Sequence, residues 1–308
     1  MIDPQLLAFQ ALNGLQLGIM LFLMAAGLTL VFGIMNLINL AHGSLYMVGA
    51  YLAASFQGWT GSFLLGALLA IPATLLLGVI VEIVVLRMLY AREHLDQVLA
   101  TFGLILFFNE AVRVVWGPSA LFVTTPDFLS GQVELPLGIS YPSYRFAIIA
   151  VGLAVALFLY VLIAHTRIGM LIRAGASNRA MVGALGIDVK LLYTAVFALG
   201  TALAGVAGLM AGPILSVESG MGEPILILTF VVIVIGGIGS VRGAFLAAIL
   251  IGVVDTMGRS FLPGLLRAAF NPSIANAVGP ALASMLIYVL MALVLAFRPQ
   301  GLFPARGA

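Results

Sequence analysis

The sequence contains no cysteine and a single lysine, Lys190, and charged residues make up only 8% of its 308 residues. The absence of cysteine excludes disulfide bonds, thiolate metal sites and cysteine nucleophiles. A formal net charge of +2 is too small to indicate a nucleic-acid partner. The chain is instead 63% hydrophobic and contains 35 glycines. No soluble domain of this length could bury so much apolar surface, so the composition predicts an integral membrane protein.

The motifs of several enzyme classes are also missing. The sequence has no G-x-x-x-x-G-K-[ST] loop for nucleotides, no H-E-x-x-H and no G-x-S-x-G. The glycine-rich stretch Gly236–Gly243 lies between two apolar runs, which is the wrong context for phosphate binding. We therefore expect a protein that is not an enzyme and that itself holds no catalytic residues, metal or cofactor.

A membrane-spanning helix needs about 20 predominantly apolar residues. Candidate runs lie near residues 9–34, 36–57, 63–86, 97–116, 144–164, 191–212, 224–240, 243–262 and 279–297. Polar residues interrupt the second run, and almost no loop separates the seventh from the eighth, so discontinuous or re-entrant segments are expected near 36–44 and 236–243. The predicted fold class is an all-α polytopic bundle of 8–9 transmembrane helices, forming a single transmembrane domain over 1–308.

Basic residues occur in alternate connections between the apolar runs. They lie in 87–92, in 166–190 and in the tail from Arg298 to Arg306, whereas 58–62, 117–143 and 213–223 contain neither lysine nor arginine. By the positive-inside rule the basic connections are cytoplasmic. This predicts an N-terminus outside and a C-terminus in the cytoplasm, in agreement with nine crossings.

The most polar interruption of the apolar sequence is Asn36–Ser44. Its candidate functional residues are Asn36, Asn39, His42 and Gly43. Unpaired polar groups are costly in hydrocarbon, so such a cluster normally faces a protein interior or a water-filled path. A purely structural patch of hydrogen bonds between helices is the alternative. For His42 proton coupling is conceivable, but a neutral hydrogen-bonding role is favoured.

Two connections carry further signals. The segment 117–143 contains four prolines, including Pro136, and predicts an irregular or short β-like excursion, although a plain connecting loop fits equally well. In 166–190 a short helix is predicted over Ser177–Leu185, capped by Ser177 or Asn178 and stopped by Gly186. This helix could dock a cytoplasmic partner or lie on anionic lipid.

The remaining ionisable residues of the spans are predicted to form structural pairs. Asp255 and Arg259 are four residues apart on one helix, and Glu110 and Arg113 are three apart. Glu82 lies within reach of Arg87 or of lipid headgroups.

Family resemblance rests on several runs taken together. The run N-L-I-N-L-A-H-G-S-L-Y-M-V-G-A-Y from Asn36 resembles the signature of the shorter permease subunit of branched-chain amino acid ATP-binding-cassette importers. The resemblance continues through D-Q-V-L-A-T-F-G from Asp96, the run from Ile172 to Asp188, and G-G-I-G-S-V-R-G-A from Gly236.

This resemblance implies a subunit that moves branched-chain or related amino acids across a bacterial or archaeal inner (plasma) membrane by alternating access. The implied partners are a second homologous permease, two cytoplasmic ATPase subunits that use ATP and Mg²⁺, a periplasmic or lipoprotein solute-binding protein, and membrane lipid. Related permeases carry urea, short amides or aromatic acids, so these substrates stay open. A channel or secondary carrier that works without ATPases is the alternative of a different class.

The resemblance also implies roles for particular residues. A coupling helix that seats in the ATPase falls on 174–187, although the generic loop begins Glu-Ala-Ala where this chain has Asn-Arg-Ala. The residues assigned to coupling are Arg173, Ser177, Asn178, Arg179, Gly183, Leu185 and Gly186. Those assigned to the substrate pathway are Asn36, Asn39, His42 and Gly43, and those of the re-entrant glycine segment are Gly236, Gly237, Gly239, Arg242 and Gly243. A weak internal repeat sets His42-Gly43 against Arg242-Gly243.

Overall fold

The computed structural model describes residues 4–135 and 138–303, and eleven α-helices lie in these ranges. They are α1 (Pro4–Met35), α2 (His42–Thr60), α3 (Phe63–Val84), α4 (His94–Trp116), α5 (Ser143–His165), α6 (Arg167–Ser177), α7 (Arg179–Ala184), α8 (Val189–Ala211), α9 (Gly222–Gly236), α10 (Val241–Ala269) and α11 (Pro272–Phe297). Strands β1 (Gln132–Leu135) and β2 (Ile139–Pro142) form one antiparallel hairpin. The predicted all-α polytopic class is confirmed. Pro136 and Arg306 lie outside the described residues.

Seven of the described helices are long and apolar enough to cross a membrane: α1, α3, α4, α5, α8, α10 and α11. The apolar helix α9 is shorter, with 15 residues, and α2 has 19. A span of the hydrocarbon core takes about 20 residues. The bundle therefore has seven full spans and two partial ones, which correspond to the nine apolar runs of the sequence.

The two ends of the bundle are distinguished by what lies there. At one, the hairpin end, β2 packs beside the start of α1, where the rings of Phe9 and Tyr141 are 5.5 Å apart. At the other, the surface-helix end, α6 packs against the end of α1 near Ile34. Helix α1 thus runs from the hairpin end to the surface-helix end. The short β-like excursion expected in 117–143 is present as this hairpin.

Helices α1 and α8 form the centre of the bundle. Their apolar windows are 83% and 78% buried, whereas that of α11 is only 11% buried. Glycine permits the close approach of α1 to its neighbours: a β-carbon at Gly18 would lie 2.7 Å from the carbonyl oxygen of Ala248 in α10. The leucine- and phenylalanine-rich outer faces of the peripheral helices remain exposed, as expected where lipid or another membrane subunit is the neighbour.

The break between α1 and α2 begins at Asn36, whose φ of 49° is left-handed. Asparagine tolerates this conformation and is a common helix stop. The chain then turns back, so that His42 begins α2 beside the middle of α8. A β-carbon built on Gly27 would lie 2.6 Å from the carbonyl oxygen of Gly200 and 3.1 Å from Cε1 of His42. Because Gly200 is midway along α8, α2 starts at mid-depth and not at a surface.

Helix α9 also starts at mid-depth. Its first residue, Gly222, packs backbone to backbone against Gly43, the second residue of α2. From this contact α2 runs to the hairpin end, where Gln57 Nε2 donates to the carbonyl of Thr124 at 3.3 Å. Helix α9 runs the opposite way and ends in the turn at Gly237 (φ 102°). The chain is therefore interrupted near both places expected from the sequence, 36–44 and 236–243.

The two partial helices belong to two inverted halves, α1–α3 and α8–α10. Gly27 of α1 packs on Gly200 of α8, and Gly43 of α2 packs on Gly222 of α9. Helix α10 packs along α1 as α3 packs along α8. The register set from the sequence, His42-Gly43 against Arg242-Gly243, is wrong: the structural partner of Gly43 is Gly222. In an inverted repeat, equivalent positions of the two halves face each other. Gly243, which the sequence comparison set against Gly43, packs against Gly236 and not against Gly43.

Candidate functional site

The mid-depth junction is formed by Asn39, His42, Gly43 and Ser44 at the start of α2, with Gly222 at the start of α9. Asn39 and His42 are fully buried, and Ser44 nearly so. The Oδ1 atom of Asn39 accepts a hydrogen bond from the backbone N–H of Ala41 at 3.1 Å. This bond fixes the turn that leads into α2, which is a common local role for asparagine.

Three side-chain nitrogens at the junction lack a completed hydrogen bond within the described part of the chain: Asn39 Nδ2 and both nitrogens of His42. The imidazole lies beside the backbone carbonyl of Met24, but without the geometry of a good hydrogen bond. Leaving a buried polar group unsatisfied costs about 1–3 kcal/mol. Native proteins keep such groups mainly where water, a ligand or another conformation supplies the partner. The junction therefore has spare hydrogen-bonding capacity in an otherwise apolar bundle.

Close packing of Gly43 on Gly222 closes the junction within this chain. A β-carbon on either residue would overlap the carbonyl group of the other. At this pair the two helix starts consequently touch backbone to backbone.

The predicted pathway residues do not form one group. Asn39, His42 and Gly43 are buried together at the junction, whereas Asn36 is exposed and ends α1. Beside the junction, the exposed Glu223 accepts a hydrogen bond from Nδ2 of Asn109 at 2.7 Å. An exposed carboxylate within a membrane bundle normally faces water or another protein chain. Sequence reasoning missed Glu223, because the register of α9 was not known.

Residues assigned to coupling all lie at the surface-helix end on or next to α6 and α7. All seven are exposed: Arg173, Ser177, Asn178, Arg179, Gly183, Leu185 and Gly186. The side chain of Asn178 caps α7 by accepting from the N–H of Met181 at 2.9 Å, and Gly186 (φ 83°) follows the helix. The predicted cap and stop are therefore present, although Ser177 ends α6 instead of opening α7. Buried Val182 anchors α7, whose Met181 and Leu185 point outward.

The glycine segment after α9 is a tight turn held by the end of the described chain. Backbone N–H groups of Leu302 and Phe303 donate to the carbonyls of Ile235 and Gly236 at 2.8 and 3.0 Å. Gly237 and Gly239 both have positive φ values, and Gly236 packs against Gly243. Arg242 is exposed, with its guanidinium 5.8 Å from the ring centre of Tyr160. The segment shapes the surface-helix end of the bundle.

A buried carboxylate, that of Glu82, forms an ion pair and links α3 to α8 near the same end. Glu82 is fully buried and accepts from Arg87 Nη2 at 3.1 Å, from Thr194 Oγ1 at 2.7 Å and from the hydroxyl of Tyr90. Burial and this hydrogen bond raise the pKa of Tyr90, so the phenol stays a donor. The predicted pairing of Glu82 with Arg87 is confirmed, as are Glu110–Arg113 at 2.9 Å and Asp255–Arg259 at 2.8 Å.

A polar cavity of about 420 Å³ opens at the hairpin end between α1, α5 and α10. Its polar lining includes Gln10, Asn13 and Gln16 of α1, Arg145 of α5, and Asp255 and Arg259 of α10. The three residues of α1 recur every three positions, which is a signal visible in the sequence. Sequence reasoning missed it, since the positions of α5 and α10 beside this stripe depend on tertiary packing. We call this site the hairpin-end cavity.

A helical bundle with an apolar perimeter and two opposed half-helices meeting at mid-depth defines a membrane permease of the transporter class. The family model described as "Branched-chain amino acid transport system / permease component" matches residues 10–295. The chain therefore belongs to the family of permease components of branched-chain amino acid transport systems. The resemblance first seen in the run from Asn36 is confirmed.

Individual relatives agree with the family match. The chain is 30% identical over 308 residues to the high-affinity branched-chain amino acid transport system permease protein BraD of Pseudomonas aeruginosa, covering 95% of this chain and 94% of that protein. It is 30% identical to the permease protein LivH of Salmonella typhimurium and 29% identical to LivH of Escherichia coli K12, in both cases over 82% of this chain and 86% of the relative. No solved structure matches the chain.

Proposed function

We propose that this chain is the shorter permease subunit of an ATP-binding-cassette importer for branched-chain or related amino acids. The observation that carries the proposal is the family match over residues 10–295 of a chain whose two half-helices meet at mid-depth. Since the sequence has no nucleotide-binding loop, the energy comes from partners. These are two cytoplasmic ATPase subunits that use ATP and Mg²⁺, working with a second homologous permease and a solute-binding protein.

In this proposal the hairpin end faces outside and the surface-helix end faces the cytoplasm of a bacterial or archaeal cell. The support is the charge of the connections: exposed Arg173, Arg179 and Lys190 lie in the connection at the surface-helix end, whereas 58–62, 117–143 and 213–223 at the hairpin end contain neither lysine nor arginine. The binding protein then docks at the hairpin end. The ATPases receive α7, whose exposed Met181 and Leu185 supply apolar contacts beside Arg179.

Alternating access follows from the opposed directions of α2 and α9. A tilt of one inverted half against the other separates Gly43 from Gly222 and uncovers the junction toward one side at a time. Asn39 and His42 then offer their unsatisfied nitrogens to the amino acid, and Glu223 lies beside them for the ammonium group. Neutral hydrogen-bonding groups hold a zwitterion briefly without trapping it.

The experiment is leucine uptake by the complete complex of both permeases, both ATPases and the binding protein in liposomes. Replacing Asn39→Leu removes a buried hydrogen-bonding side chain at similar volume and is expected to abolish uptake. Assembly with the ATPase subunits, measured by pull-down, should be retained. The matched control is Asn276→Leu, because Asn276 is exposed and its Oδ1 binds only the exposed Arg267 among its described contacts.

Three outcomes would each overturn one part of the proposal. Normal uptake by the Asn39→Leu complex removes the junction from the pathway. Leucine flux through liposomes that contain this chain alone indicates a channel or secondary carrier. Uptake of urea, a short amide or an aromatic acid in place of leucine changes the substrate but not the mechanism.

A further inference from the structure

The hairpin-end cavity is lined by polar and charged side chains that the proposed pathway does not use. Its volume of about 420 Å³ lies in the range of roughly 300–1,000 Å³ typical of small-molecule pockets. Two of its polar residues, Gln16 and Asp255, are more than nine-tenths buried. Buried polar groups at such a position in a membrane bundle normally serve a water-filled path or a ligand.

Charges in the cavity are held in fixed positions. Nη1 of Arg145 donates to Oδ1 of Asn13 at 2.6 Å, and the hydroxyl of Tyr141 donates to the same oxygen at 3.3 Å. Across the cavity, Nε of Arg259 donates to both oxygens of Asp255 at 2.9 and 2.8 Å. Each guanidinium uses only part of its five N–H donors in these bonds. Both arginines therefore keep donors for a ligand.

The balance of groups matches a zwitterion. Two guanidinium groups and one carboxylate give the cavity a formal charge of +1, and carboxamides from α1 add neutral donors and acceptors. A free amino acid presents a carboxylate and an ammonium. A guanidinium binds the carboxylate through paired hydrogen bonds, and the ammonium donates hydrogen bonds to a carboxylate or amide oxygen. Because the existing pairs already neutralise much of the charge, binding is weak enough for onward release.

The cavity and the mid-depth junction lie at two levels of the same helix, α1. From Gln16 to Met24, whose carbonyl lies beside His42, the helix advances about 12 Å at 1.5 Å per residue. The cavity therefore lies about two helical turns of α1 from the junction.

We propose that the hairpin-end cavity is a reception site for the zwitterionic head group of a free amino acid, with Arg145 binding the carboxylate and Asp255 accepting from the ammonium. The proposal rests on the proposed function and adds a first binding position to it. The same head-group chemistry occurs in phosphatidylethanolamine, so the test must separate a free amino acid from lipid.

The test uses the complete complex in liposomes with L-leucine, measuring uptake and the ATPase activity stimulated by the loaded binding protein in the same sample. Arg145→Gln and Asp255→Asn are each expected to lower uptake about tenfold at subsaturating leucine, the loss of one charge-assisted contact. Arg145→Lys should recover part of it. The matched control is Arg113→Gln, since Arg113 is exposed at the same end, pairs with Glu110 and does not line the cavity.

Stimulated ATPase activity decides between reception and docking. Retained stimulation with reduced leucine transported per ATP supports the reception site. Parallel loss of both means that Arg145 and Asp255 serve the binding protein, and uptake equal to that of Arg113→Gln means that they serve neither; both results overturn the proposal. Recovery of the variants by added phosphatidylethanolamine, together with loss of co-purifying lipid, assigns the cavity to lipid and also overturns it.

Leucine uptake by the unmodified complex tests the proposed function separately from the reception site. If that complex does not take up leucine at all, the amino acid assignment fails before any variant is compared. Thermal stability and yield of the Arg145→Gln and Asp255→Asn complexes, compared with the unmodified complex, exclude misfolding as the cause of a lost signal.

Discussion

The mid-depth junction and the hairpin-end cavity solve the problem of polar groups in a bilayer in opposite ways. At the junction the polar side chains are neutral, fully buried and partly unsatisfied, and two glycine backbones close the space. In the cavity charged side chains are present, and they are already paired with each other or with a carboxamide. The difference teaches that a closed site must avoid charge, because burying an unpaired ion is far more costly than leaving an amide unsatisfied.

Of the changes that test this contrast between the junction and the cavity, Gly43→Val is expected to have the largest effect on stability. A branched side chain at Gly43 would overlap the backbone of Gly222, which yields less readily than the end of a flexible side chain. Overpacking typically costs about 1–3 kcal/mol, and a clash between two backbones lies at or above the top of that range. We expect loss of folded complex, measured by yield and thermal unfolding in detergent.

Gly58→Val is the matched control for this clash. A β-carbon at Gly58 meets no atom within 4 Å, so folding should be unaffected apart from a helix-propensity effect of less than about 1 kcal/mol. If Gly43→Val folds as well as Gly58→Val, the closed junction described above does not exist.

A second change separates stability from transport at the junction. His42→Leu removes two nitrogens that make no completed hydrogen bond and fills a similar volume. The complex should therefore be unchanged in stability or more stable by about 1 kcal/mol. Leucine uptake should nevertheless be lost, because the substrate no longer finds these groups.

The control for this comparison is His94→Leu, at an exposed imidazole in the first turn of α4. It should leave uptake intact. A clear loss of stability in His42→Leu would show that the imidazole is structurally satisfied, and the contrast between closed and open sites would be weaker.

The smallest effect is expected in the cavity, from Asn13→Ala. This change removes Oδ1 of Asn13, which accepts hydrogen bonds from Arg145 and from the hydroxyl of Tyr141. One hydrogen bond of this kind contributes about 0.5–1.5 kcal/mol to stability. Because solvent can replace Asn13, stability should hardly change, while leucine uptake falls two- to threefold through a rise in KM. An unchanged KM, or a change as small as that of Asn276→Ala, would show that Asn13 does not position Arg145.

Much of the fold could be predicted from local signals in the sequence. Apolar runs identified the spans, Gly186 marked a helix end, and charge spacing predicted the pairs of Glu82, Asp255 and Glu110. These features depend on residues near one another in the chain, where periodicity and propensity are informative.

What the sequence could not provide is contact between distant segments. The wrong register of the repeat arose because Arg242-Gly243 resembles His42-Gly43 in composition, whereas Gly222 is recognisable as a partner only when the helix directions are known. Likewise, Thr194 joins Glu82 across 112 positions. The cavity was missed for the same reason, since Arg145 and Asp255 come to the stripe on α1 from two other helices.

The contact between Gly43 and Gly222 also constrains how this sequence can change over evolutionary time. The backbone of each residue is the nearest neighbour of the other, so no side chain between them can move to make room for a larger residue. A larger residue at one position cannot be rescued by a smaller one at the other, because nothing is smaller than glycine. Each position is therefore expected to keep glycine on its own account, with no compensating change available at the other.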